Sequence, residues 1–249
     1  MTIKEFTIAI DCDGVLLDYA TAYGAAWKRA FGEHPALQDA HAYWPMDRWG
    51  VPRLAGEQLH RLRAVFDEEF WSTIPTVVGA LEACNILVSN GYQLVCVTAL
   101  DDWFAASRTR NLQDLGFPIH QVITTGNDAT MKSSKAAALS VLKPVAFVDD
   151  YSPYMVGIDR GIHKALVMRD PVGSPNTGDA LKHSDSQHAD LLDFARWLTD
   201  RTPEYETDDV PLTEAELEAI RKDPKVSMPK GKNIEWKDLF DPGRSRDGT

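Results

Sequence analysis

Short apolar runs recur along this chain at 6–10, 93–98, 119–124, 145–149 and 165–168, and segments of helical spacing separate them. A run of about five apolar residues bounded by turn signals reads as a strand buried on both faces. Segment 79–90 carries Leu81, Cys84, Leu87 and Val88 at helical spacing and stops at Asn90-Gly91. Segment 101–115 opens on Asp101 and Asp102 as caps, sets Leu112 and Leu115 on one face, and stops at Gly116. Segment 133–142 opens at a serine cap and ends before Lys143-Pro144. Strands alternating with helices predict an α/β fold, a Rossmann-like parallel sheet sandwiched by helices.

Residues 19–75 break the alternation. Segment 19–31 reads as a helix containing Tyr23, Trp27 and Phe31, and 54–70 as another with Leu59, Leu62, Phe66 and Phe70 in register. An aromatic loop, Tyr43-Trp44-Pro45-Met46-Asp47-Arg48-Trp49-Gly50, joins them. The predicted organisation is a core domain of residues 1–18 and 76–202 and a small helical cap, 19–75, inserted after the first strand and lying over the strand tips. A last helix is predicted over 185–201, with Leu191, Phe194, Ala195 and Leu198 on one face. From Pro203 the chain is charged and proline-punctuated, and 203–249 reads as an arm, partly disordered unless it docks. Its Trp236 and Phe240 point to docking on the chain's own domain or on a second subunit, as a homodimer.

The net charge of −11 argues against a nucleic-acid backbone as the main partner. No run of about 18 apolar residues predicts a membrane span. The N-terminus lacks the apolar core of a signal peptide, so a cytoplasmic location is expected. Cys12, Cys84 and Cys96 stand in apolar runs without metal-type spacing and read as buried free thiols. The seven histidines are scattered and read as surface or packing residues.

The first apolar run leads into Asp11-Cys12-Asp13-Gly14. Side chains two apart on a strand point the same way, so these carboxylates repel unless a cation or proton relieves them. Gly14 lets the backbone turn at once. In open parallel sheets, ligands bind outside the carboxyl ends of the strands. Those ends carry Asp11 and Asp13, then Thr98, then Asp149 and Asp150, with Lys132 and Lys135 just before the helix that precedes the last pair. Four converging carboxylates call for a hard divalent cation, and oxygen donors alone point to Mg²⁺. Adding a hydroxyl and a lysine suits the set to a phosphate.

In these motifs the chain resembles the phosphatase branch of the haloacid dehalogenase superfamily. The match runs through Asp11-Cys12-Asp13-Gly14-Val15, Thr98, Lys135 (with Lys132 as the alternative) and Asp149-Asp150, in the family's order. A narrower resemblance, to 5'(3')-deoxyribonucleotidases, rests on Asp13-Gly14-Val15-Leu16-Leu17-Asp18-Tyr19 and on Phe70-Trp71-Ser72-Thr73-Ile74-Pro75 running into Gly79-Ala80-Leu81. At Thr98-Ala99-Leu100 the chain lacks the Thr-Ser-Pro of some of those enzymes. The resemblance implies Asp11 as nucleophile and Asp13 as acid, then base. It implies Mg²⁺ held by Asp11, the Asp13 carbonyl oxygen and Asp150, with Asp149 direct or through water. Thr98 and Lys135 would hold phosphoryl oxygens, Gly14 and Ala99 would line that site, and Phe70 or Trp71 would stack a base.

The implied substrate is a small phosphorylated metabolite, a nucleotide among the candidates. A phosphosugar mutase would keep every motif, and a phosphoacceptor or binding-only module is the non-enzyme reading. A dehalogenase would need neither the metal site nor an acid at Asp13. Asp18 reads as a helix cap, and Arg108 and Arg110 as surface charges, with a phosphate clamp as the lesser alternative.

Overall fold

A computed structural model of the chain describes residues 6–126 and 133–201. Lys132 and the arm at 203–249 lie outside the described residues. Six parallel strands form one sheet: β1 (Phe6–Ile10), β2 (Tyr92–Thr98), β3 (Gln121–Thr124), β4 (Ala146–Asp149), β5 (His163–Val167) and β6 (Ser186–His188). Their spatial order is β3-β2-β1-β4-β5-β6. The chain therefore builds outward from β1 on one side, through β2 and β3, then crosses to β4 on the other. That reversal opens a crevice at the carboxyl ends of β1 and β4, where such sheets bind ligands.

Register aligns the chemistry. Ile10 pairs with Cys96 of β2 and with Val148 of β4, and Asp11 N–H donates to the Val148 carbonyl at 2.8 Å. Asp11, Thr98 and Asp149 thus end three adjacent strands. Beneath them the sheet is apolar on both faces. Ala9, Val95, Val97 and Phe147 pack with Leu139, Met155, Ile162 and Leu166 in one core cluster. Ile8, Ile10, Leu94 and Cys96 alternate to the other face and are also buried. All three cysteines are buried and free, as expected from their surroundings.

Helices α1 (Tyr19–Phe31), α2 (Pro45–Arg48), α3 (Gly56–Arg63) and α4 (Glu68–Ser72) lie between β1 and β2 in the chain. Asp18 caps α1, accepting from Thr21 N–H at 2.9 Å, and Gly32 closes it in a left-handed conformation. Two features differ from expectation. The helix predicted over 54–70 is broken into α3 and α4, because Asp67 accepts from Phe70 N–H and starts a new helix. The aromatic loop contains α2, with Pro45 in its first turn. Tyr23, Leu62, Trp27, Phe31, Trp49 and Phe66 pack as a separate aromatic cluster.

Four more helices lie among the described residues: α5 (Ala80–Ser89), α6 (Ala105–Asp114), α7 (Ala136–Leu142) and α8 (Leu191–Arg201). Asp101 caps the turn before α6, accepting from Trp103 N–H. Asp102 instead accepts from the Thr124 hydroxyl. Helix α7 starts later than predicted, with Lys135 at its N-cap and no side-chain cap. The segment predicted as one helix over 185–201 begins as β6, because its first residues pair with β5 along the sheet edge. The described residues up to Trp197 form one compact unit. Among the described residues, no helix is long and apolar enough to cross a membrane.

Candidate active site

The loop leaving β1 sends its two carboxylates to different cations. Leu16 and Leu17 N–H both donate to the Cys12 carbonyl, and Gly14 N–H donates to the Leu17 carbonyl, so the chain turns back within six residues. Gly14 sits at φ +91°, and a Cβ there would lie 2.5 Å from Arg169 Nε and 2.6 Å from Asp150 Oδ2. Both the conformation and the close approach require glycine.

Asp11 and Asp149 face each other across Lys135. The Lys135 ammonium donates to Asp11 Oδ1 at 2.5 Å and to Asp149 Oδ2 at 2.6 Å. It lies 4.6 Å from the centre of the Tyr154 ring. Lys135 has no exposed surface. Burial works against its charge, yet Asp11 and Asp149 outweigh burial and hold its pKa above the ordinary lysine value. Asp149 is held from a second side by Tyr151 N–H, which donates to Oδ1 at 2.8 Å.

Asp150 has partners that the sequence did not indicate. Arg169 Nε donates to Asp150 Oδ2 at 2.5 Å, and the guanidinium carbon lies 4.2 Å from the centre of the Tyr43 ring. The Asp150 carbonyl accepts from the Tyr43 hydroxyl at 3.1 Å and from Asn176 Nδ2 at 2.6 Å. Tyr43 thereby ties the insert to the end of β4. Arg48 of α2 adds an ion pair to Asp170 at 3.1 Å.

Asp13 meets Arg108. One guanidinium nitrogen, Nη2, donates to both Asp13 oxygens at 2.7 and 2.9 Å. The expectation that Arg108 is a surface charge is overturned: its side chain has no exposed surface. The signal was present as helical spacing. Arg108 stands four residues before Leu112, on the face that α6 buries. Arg110 is exposed, as expected. For Arg169 no local pattern existed, since its partners come from Asp150, Asp170 and Tyr43.

Three basic side chains therefore relieve the four carboxylates, where the sequence had indicated one. The donor set also fits a hard cation. Oxygens of Asp11, Asp149 and Asp150 lie within 4.8 Å of one another, and all three residues are buried. Asp11 Oδ2 and Asp150 Oδ1 accept no hydrogen bond among the described residues. Burial pushes the Asp149 and Asp150 carboxyls up despite Lys135 and Arg169, so the charged form of each carries a cost that a cation would reduce. The Asp13 carboxylate stands outside this group.

A cleft of about 940 Å³ opens over these groups. Asp11, Asp13, Gly14, Thr98, Ala99 and Asp150 stand in its wall. Tyr19, Tyr43, Trp44, Trp71, Tyr151 and Tyr154 supply an aromatic lining. Of the two aromatics expected to stack a base, only Trp71 stands in the wall. It lies against Tyr19 at 6.1 Å with rings 19° apart, and its indole N–H donates to the Phe66 carbonyl. Phe70 is buried edge-on between Tyr19 and Trp71 and does not reach the cleft.

No family model and no curated protein matches the sequence. Solved structures do match it. A haloacid dehalogenase-like hydrolase from Streptococcus pneumoniae is 16% identical, with a TM-score of 0.54 over 78% of this chain and 98% of that one. An L-2-haloacid dehalogenase is 18% identical, with a TM-score of 0.50 over 79% and 99%. A protein described as a predicted phosphoglycolate phosphatase from Haemophilus somnus is 14% identical, with a TM-score of 0.50 over 79% and 99%. These likenesses establish the haloacid dehalogenase-like fold for the described chain. Dehalogenases and phosphatases share that fold, so the chemistry rests on the site. The narrower resemblance to deoxyribonucleotidases rests on the sequence motifs alone.

Proposed function

We propose that the chain is a Mg²⁺-dependent phosphomonoester hydrolase that works through an aspartyl-phosphate on Asp11. The observation that carries this reading is the buried oxygen group of Asp11, Asp149 and Asp150, bridged by Lys135, with Asp13 held apart from it by Arg108. In the first step an Asp11 oxygen attacks phosphorus and the bond to the leaving oxygen breaks. That oxygen takes the proton of the Asp13 carboxyl. In the second, water attacks the same phosphorus, gives its proton to Asp13, and frees Asp11. Dividing the reaction lowers each barrier, and an acid–base group contributes about 10²–10⁴-fold.

Asp13 suits the proton. Burial raises its pKa, Arg108 lowers it, and the Asp11 charge raises it further, with a net upward shift. Thr98, at the end of β2 and in the cleft wall, supplies a donor for a phosphoryl oxygen, and Lys135, behind that wall, acts through Asp11. Mg²⁺ held by Asp11, Asp149, Asp150 and the Asp13 carbonyl would neutralise charge on the phosphoryl group. The substrate is a small phosphorylated metabolite. The aromatic lining favours one with a planar group, and a nucleoside monophosphate meets both demands. A dehalogenase reading leaves the acid at Asp13 and the oxygen cluster unused.

The test is release of inorganic phosphate from p-nitrophenyl phosphate with Mg²⁺, followed by a panel of nucleoside monophosphates and sugar phosphates. Chelation should stop release, and Asp11→Asn should abolish it. Full activity in D11N would sink the nucleophile assignment. Preference for sugar phosphates would remove the nucleotide reading and leave the reaction.

A further inference from the structure

Arg108 is the largest fully buried side chain among the described residues, and its one ion-pair partner is Asp13. A guanidinium presents five donors. Here Nη2 serves both Asp13 oxygens, while Nε and Nη1 are buried without a hydrogen-bond partner among the described residues. The group lies 5.2 Å from the centre of the Trp71 ring. A buried charge with three idle N–H donors is costly, and a buried ion pair replaced as a whole by hydrophobic residues is often neutral or stabilising for a fold. Fold stability is therefore a poor account of Arg108. Its geometry accounts for it better, since one nitrogen spans both oxygens of a carboxylate that has no other hydrogen-bond donor among the described residues.

We propose that Arg108 is the positioning residue of Asp13. It fixes the carboxylate at the cleft wall, where the leaving oxygen and then the attacking water must find it. The proposal deepens the phosphatase reading and rests on it. Arg108 is absent from the cleft lining, so it acts on substrate only through Asp13. Lys135 does not duplicate this role, because its hydrogen bonds go to Asp11 and Asp149. Trp71 packs on the guanidinium and also stands in the cleft wall, which links the Arg108–Asp13 pair to that wall.

The experiment measures kcat and KM for p-nitrophenyl phosphate with saturating Mg²⁺ in wild type, R108M and R108K, with circular dichroism to report folding. Misplacing a catalytic group by about 1 Å costs about 10²-fold, so R108M should lose about that much kcat with little change in KM. Guanidinium, added below its denaturing range, should restore part of the lost kcat in R108M. R108K keeps the buried charge, and with it the fold if R108M unfolds. It should lose about tenfold, because an ammonium on a flexible stem is not held in the rigid plane that aims Nη2 at both oxygens. Wild-type kcat in R108K, or in folded R108M, overturns the proposal. So does a loss confined to KM, or a folded R108M that guanidinium leaves unchanged. Absence of phosphate release from wild type would overturn the phosphatase reading and this proposal together, whereas active wild type with unimpaired variants overturns this proposal alone.

Discussion

Lys135 joins two of the site's carboxylates. It has no exposed surface and sits between Asp11 and Asp149, which are themselves buried. Removing it would leave two carboxylates facing each other in a water-poor setting. Breaking a buried ion pair from one side typically costs about 3–5 kcal/mol. K135M should therefore melt on the order of 10 °C below wild type, and Mg²⁺ should recover more of that loss than it adds to wild type. The check is a pair of melting curves with and without Mg²⁺. Equal Mg²⁺ effects in the two proteins would show that Lys135 and the cation do not act on the same oxygens. Arg108 and Arg169 share the task with Lys135, and the sequence showed the three unequally. Lys135 was visible because it precedes a helix that leads into Asp149-Asp150. Arg108 was misread because an arginine counts as surface unless its helical face is followed through Leu112. Arg169 and Tyr43 lie 126 residues apart in the chain, and no local pattern joins them.

At the scale of elements, Asp67 does two jobs in the insert. It caps α4 by accepting from Phe70 N–H at 3.0 Å, and it pairs with Arg29 of α1 at 2.6 Å. The Arg29 hydrogen bond holds its carboxyl below the usual carboxylate range, against a smaller opposing effect of burial. The side chain is 42% exposed, so the pair itself is discounted and the cap dominates. D67A should cost about 1 kcal/mol near neutral pH. A depressed folded pKa means that this stability is present above the unfolded value and is lost as pH falls through the folded one. The gap in urea midpoint between wild type and D67A should narrow between about pH 5 and about pH 2. A gap independent of pH would remove the charge from the account. The same residue shows where sequence reading ended. Apolar spacing ran through 54–70 as one helix, and periodicity has no term for a cap that restarts a helix inside it. Strands β1, β2 and β4 were legible because burial on both faces makes each a continuous apolar run. Strand β6 was not, because Ser186-Gln187-His188 is a short polar edge strand defined only by its pairing with β5.

For the whole molecule, the question is which field a phosphate meets on approach. The cleft wall holds six aspartates, at 11, 13, 18, 150, 170 and 190, against Arg48 and Arg169. Lys135 and Arg108 stand behind that wall, paired to Asp11 and Asp13. One divalent cation brings this local set to near zero. The far field is then set by the net charge of −11, and it repels a dianionic substrate. Electrostatic steering by a cationic funnel predicts a fall in kcat/KM with added salt. This chain predicts the reverse. Raising ionic strength from about 0.01 M to about 0.15 M shortens the screening length from about 30 Å to about 8 Å. That removes most of the distant repulsion and leaves the contacts within the site. With Mg²⁺ saturating throughout, kcat/KM for p-nitrophenyl phosphate should rise over this range, and the change should appear in KM more than in kcat. A fall would mean that the cations at the strand ends dominate the approach, and that the acidic surface lies too far away to matter.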